Sequence, residues 1–148
     1  MQTPTLHIVI VEDDLSIRDL FLEALTAHKI KTDILVFKNG IELINYVKKP
    51  ISTIPDLVFL KLHLPMQNGL RCVKAIRAQQ LLNRSLLVIY SAEATEAEIE
   101  EIFMERANIY MNTPMKQEEL EVKLEQILKL AFQYMHSNLS VGNLLLRL

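Results

Sequence analysis

The 148-residue chain has a single cysteine, three glycines and no tryptophan. With Cys72 alone, an intramolecular disulfide is impossible and a multi-cysteine zinc site is excluded. Cys72 reads as a small, partly buried apolar residue on a helix. Positive charge is not in excess either: the formal net charge is -2 and the pI is near 6.1, which argues against binding nucleic acid through bulk positive charge. No segment offers the roughly 18 uninterrupted apolar residues of a membrane span. The start, Met1-Gln2-Thr3-Pro4-Thr5-Leu6, lacks the charged opening and long apolar core of a signal peptide. A protein of the cytoplasm, binding neither nucleic acid nor membrane, is the expectation. With 50% hydrophobic and 23% charged residues, the chain can bury one substantial core.

What is present is a repeat of short apolar runs, each followed by a segment with helical spacing. The runs are Leu6 to Val11, Ile34 to Phe37, Leu57 to Leu60, Leu86 to Tyr90, and the weaker Ile109 to Met111. Consecutive rather than alternating apolar positions suit strands covered on both faces, as in a parallel sheet between helices. The helices are read from their stripes. Ile17, Leu20, Phe21, Ala24, Leu25 and His28 mark the first, with Asp14 as its cap. Asn39-Gly40 opens the second, which carries Ile41, Leu43, Ile44 and Val47 and ends at Lys49-Pro50. Leu70, Val73 and Ile76 mark the third. A capping box of Thr95 and Glu98 starts the fourth, whose inward stripe is Ile99, Ile102, Phe103 and Arg106. Leu120, Leu124, Ile127, Leu128, Ala131 and Met135 form the clearest stripe, that of the fifth.

Strand-helix alternation of this kind implies right-handed crossovers and a doubly wound α/β sheet, which binds its ligands at the carboxyl ends of the strands. Glu12-Asp13, Lys61, Ser91 and Thr113 all fall at such ends and are expected to converge. Together with the stretch Asp56 to Gly69, with Pro65 and Gly69 in the turn after Lys61, these residues closely resemble the receiver domain of bacterial response regulators, over roughly residues 6 to 130. The resemblance implies a flavodoxin-like (CheY-like) sheet of five parallel strands in the order 2-1-3-4-5, with helices on both faces. It implies that an acidic pair and an aspartate bind magnesium, and that this aspartate accepts a phosphoryl group from a histidine kinase. Glu12 and Asp13 match the acidic pair, Ser91 the hydroxyl after the fourth strand, and Tyr110 the aromatic that swings on activation. Two positions depart: the acceptor is Lys61, and the lysine that precedes a proline after the fifth strand is Thr113. The resemblance also implies a cis peptide at Thr113-Pro114.

The departures have chemical consequences of their own. Phosphoryl transfer to a side chain needs a nucleophilic oxygen and counter-charge for the incoming oxyanions. Lysine supplies no carboxylate oxygen, and Glu12 and Asp13 favour its protonated, non-nucleophilic form. An ammonium about 4 Å from a divalent ion is repelled by roughly 8 kcal/mol at an effective dielectric of about 20, so magnesium binding is expected to be weak or absent. Lys61 is expected to pair with Glu12 or Asp13 where a metal would sit. Asp56 is no substitute acceptor, because it lies about five residues, some 15 Å at 3.3 Å per residue, from the carboxyl end of its strand.

A flavin site, the enzymatic rival for this fold, needs a hydroxyl- and glycine-rich loop after the first strand. The chain places Glu12-Asp13-Asp14 there instead. His63 has no histidine or cysteine in ligand spacing and reads as a loop side chain, and His7 as a packing or edge residue of the first strand. Glu96, Glu98, Glu100, Glu101 and Glu105 give the fourth helix an acidic face, read first as solvated and second as a surface for a basic partner.

Residues 1–135 are expected to form the receiver domain. Residues 136–148 form an apolar tail that folds back, extends the fifth helix, or docks on a partner. The expected function is that of a single-domain response regulator without catalysis or cofactor. It would be a pseudo-receiver contacting a histidine kinase or downstream regulator through the face made by the fourth helix, fifth strand and fifth helix, with self-association left open. Phosphorylation at a non-standard residue and a non-signalling degenerate domain are the alternatives.

Overall fold

The computed structural model describes residues 5–50, 53–65, 67–113, 116–137 and 139–148. Its elements run β1 (Leu6–Val11), α1 (Leu15–Thr26), β2 (Thr32–Phe37), α2 (Gly40–Val47), β3 (Leu57–Lys61), α3 (Gly69–Ala78), β4 (Leu86–Ser91), α4 (Glu96–Met104), β5 (Ile109–Asn112) and α5 (Gln117–Met135). A 3-10 turn (Val141–Asn143) and a sixth strand, β6 (Leu146–Arg147), follow. All strands are parallel, in the order β2-β1-β3-β4-β5-β6.

The apolar runs sort themselves onto two faces because successive strand side chains point opposite ways. Ile8, Ile10, Leu57, Phe59, Val88, Tyr90, Ile109 and Met111 pack with Phe21 and Leu25 of α1 and Leu120, Leu124 and Leu128 of α5. Val9, Val11, Val58, Leu60, Leu87, Ile89 and Tyr110 pack with Leu43 of α2, Cys72 and Val73 of α3, and Ile99 and Ile102 of α4. Each central strand thus serves both cores, which is why it reads as continuously apolar.

Several helical stripes need correction. Arg106 is not part of the inward face of α4: the helix ends at Met104, and Arg106 is exposed with φ 71, a left-handed position that closes the helix. Its carbonyl accepts from Arg77 Nε and Nη2 at 3.1 and 3.0 Å, so a buried guanidinium on α3 satisfies it. Ile41 and Leu20 are exposed, and His28 lies beyond the end of α1. Residues 136–148 do not extend α5. Residues 139–148 return along the sheet and add β6 outside β5, so that the described residues form six strands where five were expected. Pro114 lies outside the described residues, and with it the Thr113-Pro114 peptide.

The turn between β3 and α3 requires close backbone approach. Gly69 N–H donates to the Leu62 carbonyl at 2.8 Å, and a Cβ at Gly69 would lie 2.6 Å from the Lys61 carbonyl oxygen and 3.0 Å from Leu62 Cα. Those neighbours are backbone and cannot turn aside. Gly69→Ala is therefore expected to lower stability by about 1–3 kcal/mol, read as a lower urea midpoint with an unchanged slope.

Candidate functional site

Parallel pairing puts the carboxyl ends of β1, β3, β4 and β5 side by side, and the polar residues there emerge where apolar runs stop. Glu12 follows β1 directly and is fully buried, with a side-chain exposure of 0%. Lys61, the last residue of β3, reaches across: its Nζ donates to Glu12 Oε2 at 2.9 Å and to Asp13 Oδ1 at 3.1 Å. Tyr90 at the end of β4 donates its hydroxyl to Glu12 Oε1 at 3.0 Å, and Asp14 N–H donates to Glu12 Oε2 at 3.0 Å. Both oxygens of the buried carboxylate are thereby satisfied. Asp14 itself caps α1, accepting from Ser16 and Ile17 N–H at 2.8 and 3.2 Å.

The electrostatics follow from this packing. Burial pushes the Asp13 carboxyl up, but hydrogen bonds from Lys61 and at Glu12, with the Lys61 charge, outweigh it and hold the group below its usual value. Burial pushes the Lys61 ammonium down, and its bonds and charge interactions with Glu12 and Asp13 carry it above its usual value instead. The Tyr90 phenol is raised well above its ordinary range, by burial first and then by the Glu12 charge.

The structure links Glu12, Asp13 and Lys61 by hydrogen bonds, while the hydrogen bonds of the other candidates run elsewhere. Ser91 Oγ accepts from Glu93 N–H at 3.1 Å and lies 3.4 Å from His63 Nδ1; its hydrogen bonds do not involve Lys61. Thr113 takes part through its backbone, its N–H donating to the Ser91 carbonyl at 3.0 Å. Tyr110 is fully buried, and its hydroxyl donates to Asn112 Oδ1 at 2.6 Å.

Two residues near the site carry more than sequence reasoning assigned to them. His63 bridges the loop after β3 to α4, with Nε2 2.8 Å from Glu98 Oε2 while Nδ1 faces Ser91. Tyr90 closes the Glu12 site from β4. A phenol at the end of an otherwise aliphatic buried strand needs a hydrogen-bond partner, and that requirement was the available signal. For His63 no comparable signal exists, since Glu98 is distant in sequence. Asp56 lies at the opposite end of the sheet, where its carboxylate accepts from His7 N–H at 2.8 Å. His7 Nδ1 approaches Asp33 at 3.4 Å on the edge strand β2.

The response regulator receiver domain family matches residues 8–125, and the chain belongs to that family of two-component signalling domains. Similar solved structures share the fold. The phosphorylated cyanobacterial phytochrome response regulator RcpA superposes with a TM-score of 0.80 at 22% identity, covering 87% of this chain and 95% of that one. A response regulator receiver domain from Rhodospirillum rubrum gives 0.75 at 24% identity, covering 91% of this chain and 97% of that one. The transcriptional regulatory protein CiaR of Streptococcus pneumoniae (strain ATCC BAA-255 / R6) is 25% identical over 143 residues, which cover 97% of this chain. The chain spans 60% of that relative's length. No helix among the described residues is long and apolar enough to cross a membrane.

The sign of the pH dependence follows from the two displaced groups. Asp13 lies below its usual 3.8, so its contribution to stability is complete above that value and is lost as pH falls through the folded one. Lys61 lies above its usual 10.5, so its contribution is complete below that value and is lost as pH rises through the folded one. Lys61→Met leaves Glu12 buried without its cation and is expected to lower stability by about 2–4 kcal/mol at neutral pH. In urea titrations the gap between parent and variant should close at both pH extremes and be widest between them.

Proposed function

We propose that this chain is a pseudo-receiver: a two-component signalling domain that acts through protein contacts in one fixed state, without phosphorylation at the usual acceptor position. The observation that carries the reading is the pair of hydrogen bonds from Lys61 Nζ to Glu12 and Asp13. An ammonium held protonated by two carboxylates has no free electron pair with which to attack phosphorus. Its raised pKa works in the same direction.

The same contacts bear on magnesium, which the family implies. The residues present do not fit it. A divalent ion needs carboxylate oxygens free to turn toward it, with an excess of negative charge. Glu12 and Asp13 already hold an internal cation, and no third carboxylate stands at position 61. No step is therefore assigned to a metal, and no catalysis to the chain. Receiver domains meet histidine kinases or downstream regulators, and for this one the acidic surface of α4 beside β5 and α5 is the contact face we favour, in a cytoplasmic setting.

Treated with acetyl phosphate and magnesium, the protein should show no gain of one phosphoryl group by intact-mass spectrometry. An adduct on any pocket residue, stable or acid-labile, would remove the proposal. Lys61→Asp exchanges the internal cation for a third carboxylate and should restore magnesium binding at least in part. A calorimetric titration in which this variant binds no better than the parent would refute the explanation.

A further inference from the structure

The segment after α5 occupies a receptor built for it. Asn108 precedes β5 and is 1% exposed, and its Nδ2 donates to the Val141 carbonyl at 2.7 Å and the Leu144 carbonyl at 3.2 Å. Its Oδ1 is already taken by Leu87 N–H at 2.9 Å and Arg77 Nη2 at 3.3 Å. Both donors of this buried amide are therefore committed to the returning segment. The edge of β5 does the same in its backbone: the carbonyls of Asn108 and Tyr110 accept from Leu146 and Leu148 N–H, each at 2.8 Å, and Asn112 N–H donates to the Leu148 carbonyl at 3.1 Å. Alternation then divides the side chains. Leu144, Leu146 and Leu148 pack against the core beneath α5, while Arg147 points to α4 and grips both oxygens of Glu96 at 2.6 and 2.8 Å.

The receptor is buried and specific, whereas its occupant is short and partly exposed. β6 has two residues, Leu145 is 63% exposed, and the Arg147–Glu96 pair is 47% and 79% exposed, which leaves its attraction largely screened. Short edge elements with few buried apolar contacts open before the rest of a domain.

We propose that the β5 edge, with Asn108 and Glu96 beside it, is a peptide-binding site for an extended segment with apolar residues flanking an arginine, and that residues 144–148 are its ligand in cis. The segment is an autoinhibitory strap: a partner that adds a strand to β5 has to displace it. The site does not depend on the chemistry of the Lys61 pocket and stands or falls separately from it.

A synthetic peptide of residues 139–148, labelled with a fluorophore, tests this on the full chain. The double variant L146D/R147E places a charge against the core and a carboxylate against Glu96, which should open the strap. Hydrogen exchange should then show lost protection at Asn112 with β4 still protected. The peptide should bind this variant at least tenfold more tightly than it binds the parent. Equal affinity for the two, or no binding to a variant whose Asn112 amide is exposed, would overturn the proposal. The Glu96→Arg variant supplies a check that leaves the core untouched: with the strap already opened by L146D/R147E, adding E96R should weaken the parent peptide by about threefold and favour a peptide carrying R147E by a similar factor. Identical ranking of the two peptides on both backgrounds counts against the assigned register. A parent protein that sediments as a dimer, with Asn112 protection that fades on dilution, would place the strap on a second copy and end the cis assignment.

Discussion

A carboxylate sealed from solvent has to be balanced from inside the protein, and Glu12 is sealed completely. Its location at the end of β1 is fixed by the sheet, so its partners must come from the neighbouring strand ends. Lys61 supplies the charge from β3, Tyr90 a hydroxyl from β4, and Asp14 a backbone N–H from the start of α1. This one requirement ties three strands and a helix terminus together at the edge where such folds place their chemistry. The tight turn after Lys61 adds to it, because Gly69 lets α3 begin against the backbone of the residue that provides the cation. Breaking such a pair strands the partner, so the cluster is a constraint on the fold as much as a feature of the site.

Much of this arrangement is legible in the amino-acid order. Runs such as Leu57 to Leu60 are apolar at every position because both faces of β3 are covered, and the polar residue that ends each run marks a strand terminus. The convergence of Glu12, Asp13 and Lys61 needs in addition the strand order that the family resemblance implies, which sets β1 beside β3. What the order does not carry are features decided by partners distant in sequence. Arg106 matches a helical stripe, yet the helix has ended two residues earlier and its carbonyl is bound by Arg77 of α3. Ile41 also fits its stripe but sits on the exposed side of α2, where a helix only eight residues long leaves little room for a wide buried face. His63 lies between Ser91 and Glu98 of α4, a contact across 35 residues that the order does not announce.

The returning segment is the largest feature that sequence reading left open, and the reason is physical. Leu144-Leu145-Leu146-Arg147-Leu148 is too short for its period to distinguish strand from helix. Its conformation is decided by the buried donors of Asn108 and by the unpaired edge of β5. A polar residue such as Asn108 just before an apolar strand looks like ordinary loop chemistry until its four hydrogen bonds are counted. An edge strand left open is a template for pairing with other chains, and covering it with a chain's own short, charged strand is a common remedy.

The two proposals also bear on one another. The receiver family implies a pocket whose charge changes on phosphorylation. Here Lys61 supplies the counter-ion to Glu12 and Asp13, and on the proposed reading no chemical event remains there to be relayed. Contacts do run from one region to the other: Thr113 N–H to the Ser91 carbonyl, Tyr110 to Asn112, and Asn112 to Leu148. Spatial continuity of this kind is not coupling, which requires an element with two arrangements that both ends bias. On the proposed reading the strap is such an element by itself. Bound, it covers the edge of β5; released, it would expose it, and the equilibrium between the two would be set by the concentration and affinity of a competing segment. A domain fixed at one end can in this way still be regulated at the other, by competition at the edge of β5 rather than by transmission from the pocket.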